Sequence, residues 1–164
     1  MTKGARRLLT ACAVLLGTVP TNTYPAAAQP PPGFPDFSGL PAVDADQYPS
    51  YTGHSFTTPD GLVCFGRGRY PYYSVGCAGT TVGSDRAILD MSTYARTDNL
   101  PATIYASPVA ESATGVRPLP INHTIQMTAD VVCAVLEPAT TACVLDSSSQ
   151  THGFVLSPER NWAF

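Results

Sequence analysis

From Tyr51 onward, short runs of Val, Ile, Thr and aromatic residues are separated by Gly, Pro and Asp at intervals of about 8 to 12 residues, a spacing characteristic of consecutive strands and turns. Nine strands are expected: His54–Thr57, Leu62–Gly66, Tyr73–Ala78, Ile88–Tyr94, Thr103–Ala106, His123–Thr128, Val131–Leu136, Thr141–Leu145 and His152–Leu156. The period of two is plainest in His123–Thr128, where Ile125 and Met127 share one face and Thr124, Gln126 and Thr128 the other. Ala87–Tyr94 is open to two readings, because Ile88, Met91 and Tyr94 also fit one side of a short helix. The expected fold is all-β: a small antiparallel β-sandwich or open barrel of about 7 to 9 strands.

The residues before Tyr51 follow other rules. Met1–Arg7 holds Lys3, Arg6 and Arg7, Leu8–Val19 is apolar, and Ala26-Ala27-Ala28 offers small residues for cleavage, so 1–28 reads as a secretory signal peptide. Twelve apolar residues are too few to span a membrane, which takes about 20, and no later stretch comes close. Leu9-Thr10-Ala11-Cys12 resembles a lipobox, but the apolar run continues well past Cys12, which speaks against lipid anchoring there. Residues 29–50 contain six prolines, with Phe34, Phe37 and Leu40 among them. Proline fixes φ and removes amide donors, so this arm is expected to be extended and largely outside any sheet. It reads as a spacer ahead of a β domain at 51–164; the alternative is that Phe34, Phe37 and Leu40 pack on the domain or on a partner.

Removing 28 of 164 residues leaves 136, room for one small domain. It also removes the three cations named above, leaving six Arg, no Lys and twelve acidic residues, a net charge of −6. Nucleic acid is excluded as a partner, because displacing condensed counterions takes clustered cations. An anionic membrane surface would repel the chain for the same reason.

Four cysteines remain after Cys12: Cys64, Cys77, Cys133 and Cys143. In an exported chain an even number reads as disulfides, with three possible pairings. Cys133 and Cys143 are symmetric about Pro138, so a hairpin centred there sets them opposite each other. Opposed strand residues have Cα atoms about 4.5–5.5 Å apart, within disulfide range. The same construction pairs Cys64 with Cys77 across the Arg67–Tyr72 loop, which is wider and leaves the register looser. Each bridge contributes about 3 kcal/mol through loop closure, against about 5–15 kcal/mol for a whole domain. A four-cysteine zinc site would suit CxxC spacing, which the chain lacks.

Pro32-Gly33-Phe34-Pro35-Asp36-Phe37-Ser38, Phe56-Thr57-Thr58-Pro59-Asp60-Gly61-Leu62-Val63-Cys64, Gly76-Cys77-Ala78-Gly79, Leu119-Pro120 and His152-Gly153-Phe154-Val155-Leu156-Ser157 follow one another along the chain. Together they resemble a family of small exported proteins of unknown function from mycobacteria and related actinobacteria. The resemblance lies in their order and spans nearly the whole mature chain. It implies an exported compartment and this fold, and brings no catalytic residues with it. The Arg- and Tyr-bearing loop after Cys64 departs from the family pattern.

Candidate chemistry is sparse. His54 and Ser55 are adjacent on a strand and point to opposite faces, and no Gly-x-Ser-x-Gly elbow exists, so no catalytic residue is assigned. His54, His123 and His152 would have to converge with Asp60 or Asp130 to hold a metal, and no spacing brings two of them together, so no metal or cofactor is expected. Thr58-Pro59-Asp60-Gly61 reads as a structural turn and Gly153 as a point of close backbone approach, with Phe154 in the core. The best surface candidate is Arg67, Arg69, Tyr70, Tyr72 and Tyr73 at the tip of a braced hairpin, since Arg and Tyr concentrate in recognition surfaces. The plainer reading is a solvated loop whose tyrosines cover neighbouring apolar surface. The function expected is a noncatalytic module that binds an envelope or extracellular protein or glycan, in the medium or at the cell envelope. The alternative is a small envelope-associated hydrolase with a His/Asp site.

Overall fold

The computed structural model describes residues 29–51, 53–69, 72–79, 87–94, 102–105, 113–137, 139–146 and 150–164. Eleven strands run through them: β1 (Pro49–Ser50), β2 (Gly53–Thr57), β3 (Val63–Arg69), β4 (Tyr72–Gly79), β5 (Ala87–Tyr94), β6 (Thr103–Tyr105), β7 (His123–Thr128), β8 (Val131–Glu137), β9 (Thr140–Asp146), β10 (Thr151–Leu156) and β11 (Trp162–Ala163). β1 to β6 lie side by side in chain order in one antiparallel sheet, and β7 to β11 do the same in a second. The sheets are not closed into a barrel, and residues of both enter one core. Among the described residues the helical content is a three-residue 3-10 turn, Ala45–Gln47, which Asp44 caps by accepting from the Asp46 N–H.

All nine expected strands form. Ala87–Tyr94 is a strand, because its backbone pairs with β4 on one side and β6 on the other, an arrangement three apolar positions at helical spacing cannot outweigh. The two added strands, β1 and β11, extend each sheet at its outer margin. β11 follows β10, so His152–Leu156 is not the last strand of the chain.

Both hairpins bring their cysteines into direct opposition. Cys64 pairs with Cys77 and Cys133 with Cys143, at Cα separations of 3.9 and 4.1 Å. All four cysteines are buried, with Phe56, Leu62 and Val75 around them from the first sheet and Ile125, Met127, Leu145, Phe154 and Leu156 from the second. The bridges therefore both brace the sheets and fill the interior. Where β3 crosses β7 the backbones meet closely: a Cβ on Gly66 would lie 3.0 Å from Met127 Cβ.

The second sheet is covered on both faces. Alternation along β8 to β10 turns Cys133, Cys143 and Phe154 toward the first sheet and Ala134, Ala142 and Val155 away from it. Those outward residues are nevertheless 0 %, 0 % and 6 % exposed. The proline-rich arm runs along this side. Pro41 accepts from the Thr124 N–H and Val43 donates to the Thr124 carbonyl, both at 2.9 Å, which pairs the arm in parallel with the β7 edge. Tyr48 is buried, its hydroxyl donating to the Pro118 carbonyl, while Arg117 lies over its ring and bonds Gln47 Oε1 at 2.7 Å. The arm is thus laid down on the domain. The spacer reading gives way to the packing alternative because Phe34 finds aromatic partners near the end of the chain, at Trp162 and Phe164.

Edges are managed in the same economical way. Thr57 of β2 exchanges backbone hydrogen bonds with Arg117 and Leu119, both at 3.0 Å. At the other margin Phe164 and Gly153 exchange N–H···O bonds of 3.0 and 3.2 Å, and the Phe164 carbonyl also accepts from Ala102 at 3.1 Å. Pairing these edges removes templates for intermolecular strand addition.

Candidate functional site

The three histidines stay apart in their bonding. His123 Nδ1 lies 2.9 Å from the Ile121 carbonyl, and His152 Nε2 lies 2.8 Å from Gln150 Oε1. His54 Nδ1 is buried without a hydrogen-bond partner. Among the described residues no group of three or more His, Cys, Asp or Glu is placed to hold a metal ion. Asp60 is occupied locally, accepting from the Thr58 hydroxyl, whose oxygen in turn accepts from the Leu62 N–H at 2.9 Å. With Gly61 at φ 87°, this closes the β2–β3 turn that the Pro-Asp-Gly sequence predicts.

The Arg/Tyr candidate is a strand end rather than a wide loop. β3 continues to Arg69 and β4 begins at Tyr72, and the two residues are register partners, so the connection is the two-residue link 70–71. Tyr70 lies outside the described residues. Of the remainder, Arg67 is exposed, with its guanidinium 4.4 Å from the centre of the Phe65 ring, a cation–π arrangement. Tyr73 is half-buried and packs against the core. Strand alternation therefore separates Arg67 from Tyr73, which the linear sequence had placed in one surface.

The structure assembles a second feature from more distant parts. Phe34 contacts Phe37 (5.3 Å between ring centres), Phe164 (5.5 Å, edge-on) and Trp162 (6.5 Å, edge-on), while Trp162 and Phe164 are 5.5 Å apart. Edge-on aromatic pairs at such distances contribute about 0.5–1.5 kcal/mol each. Beside this cluster lies a groove of about 610 Å³, bounded by Pro30, Pro32, Phe34, Pro35 and Phe37 and floored by Val144 of β9. Gln29, Asp36 and Ser38 supply its polar groups. Asp36 Oδ1 accepts from the Ser38 N–H at 2.9 Å, and this bond, followed by one with the Ser38 side chain, holds its carboxyl below the usual aspartate range. The arm's phenylalanines were visible in the sequence as packing candidates, but Trp162 and Phe164 gave no signal as their partners.

A concave, mostly apolar groove with a few oriented polar groups can take up an apolar body and read a polar end. The stacked Arg67 offers a flatter surface elsewhere on the domain. Comparison of the chain with protein-family models, with curated proteins and with solved structures returns no match, so the reading of these two surfaces rests on their chemistry.

Proposed function

We propose that this chain is a noncatalytic binding module working outside the cytoplasm, and that the groove between the proline-rich arm and the second sheet is its contact surface. One observation carries the proposal: prolines and phenylalanines of the arm, set against the sheet at Val144, line an open groove of about 610 Å³, inside the range of about 300–1,000 Å³ typical of ligand sites. Two internal disulfides and a described chain without any helix long and apolar enough to cross a membrane are compatible with that compartment. The order of segments resembling small exported actinobacterial proteins supports the same placement. The partner is an envelope or extracellular protein or glycan, and the exposed Arg67 with Phe65 is a secondary contact.

Affinity capture from envelope and culture-fluid fractions by the mature protein tests this. Phe34→Ala/Phe37→Ala is expected to lose the captured partner, and Arg67→Ala to weaken capture without abolishing it. Equal capture by the wild type and the Phe34→Ala/Phe37→Ala variant, both confirmed as folded, would remove the groove from the proposal.

A further inference from the structure

On the export reading, with 1–28 as a signal peptide, cleavage after Ala28 would make Gln29 the first residue of the mature chain. In the structure Gln29 is exposed at the head of the arm and lines the groove beside Pro30, Pro32 and Phe34. No hydrogen bond to a described residue holds its carboxamide. A glutamine free at its side chain and newly free at its α-nitrogen carries a nucleophile and an electrophile on one residue.

We infer that position 29 of the mature chain is a modification site and carries pyroglutamate. The α-amine attacks Cδ of the Gln29 carboxamide; the N–Cδ bond forms, the Cδ–Nε2 bond breaks, a proton passes to the departing nitrogen and ammonia leaves. The step is a transamidation within one residue and needs no oxidant, reductant or cofactor. Holding both groups on one residue supplies the proximity that makes such closures fast relative to their bimolecular counterparts. The product suits its surroundings. The lactam is neutral and compact. The arm, residues 29–50, contains no Lys or Arg, so closure leaves Asp36, Asp44 and Asp46 as its charges. It also gives the Pro30-Pro31-Pro32 stretch a blocked head with no free amine for an aminopeptidase.

The inference rests on the export reading in the proposed function, and one measurement separates the two. The full-length chain is expressed in an exporting bacterial host, collected from the medium, incubated at neutral pH and mapped by mass spectrometry of its N-terminal peptide. The peptide is expected to begin at position 29 with a mass lower by about 17 Da, the loss of one ammonia. It is expected to resist Edman degradation. Gln29→Ala, at an exposed position, is expected to give a peptide of unmodified mass that is open to Edman degradation. A peptide beginning at Gln29 with its full mass overturns the inference and leaves export standing. A chain in the medium that begins elsewhere overturns the inference, and a chain absent from the medium overturns the export reading with it.

Discussion

Gly153→Ala probes the contact that joins the second sheet to the end of the chain. A Cβ at this position would lie 2.6 and 2.8 Å from Cζ and Cε1 of Phe164 and 2.7 Å from the Cys143 carbonyl oxygen. Comfortable carbon contacts are about 3.5–4.0 Å. The oxygen belongs to β9, which is paired on both sides and bridged through Cys143, so it cannot retreat alone. The ring must give way. Overpacking of this kind costs about 1–3 kcal/mol. A displaced Phe164 also loses its contacts with Phe34 and Trp162, and the total expected loss is about 2–4 kcal/mol. For a chain of this size that lowers the melting temperature by about 6 to 15 °C. Thermal unfolding followed by circular dichroism measures it, and the emission of Trp162, the single tryptophan, reports on the cluster directly. In a Phe164→Ala background the same substitution meets only the carbonyl, so its cost is expected to fall by about 1 kcal/mol or more, a coupling that a double-mutant cycle resolves. A Gly153→Ala protein within about 0.5 kcal/mol of the parent, with unchanged emission, would refute the reasoning.

Thr141 is fully buried with no partner for its hydroxyl, so Thr141→Val is expected to stabilise the protein by about 1 kcal/mol in denaturant unfolding, and a loss of stability would contradict that reading. Replacing Cys133 and Cys143 together by Ala is expected to cost about 3 kcal/mol or more, read as a lower denaturation midpoint, since it removes both a loop constraint and core contacts. Asp36 has its carboxyl held low in the folded chain, so the stabilising effect of its bonds to Ser38 is present above the ordinary aspartate value of 3.8 and is lost as pH falls through the lower folded value. An NMR titration of the Ser38 amide is expected to show a midpoint below 3.8, and a midpoint at or above it would exclude the bond as the cause.

Most of the β architecture was legible because it depends on short-range relations. His123–Thr128 shows its faces in six residues, and the cysteine pairings follow from symmetry about a turn. β1 and β11 were not legible, since two residues carry no period. The Arg/Tyr segment was misjudged as a wide loop because the expected strand stopped at Gly66, whereas β3 runs on to Arg69 and Gly66 serves a close crossing of β7. The aromatic cluster joins Phe34 to Phe164, far apart in sequence, and only the tertiary fold brings them together. One available signal went unused. Val131-Val132-Cys133-Ala134-Val135-Leu136 is apolar without alternation, the mark of a strand covered on both faces, and it implied a third layer over the second sheet.

The chain-order arrangement of both sheets bears on how the molecule reaches its native state. Every strand pairs with its immediate successor or predecessor, and the bridged cysteines are separated by only 13 and 10 residues. Such proximity lets each sheet zip progressively from its own hairpins, with little loop entropy lost at any step and a strong kinetic bias against crossed sulfur pairings. The exceptions include the ties from Thr124 back to Pro41, from Thr57 to Arg117 and Leu119, and from Phe164 to Ala102, which require both halves to be in place. Folding therefore has a natural direction, in which the two sheets can mature separately and the last residues lock the assembly.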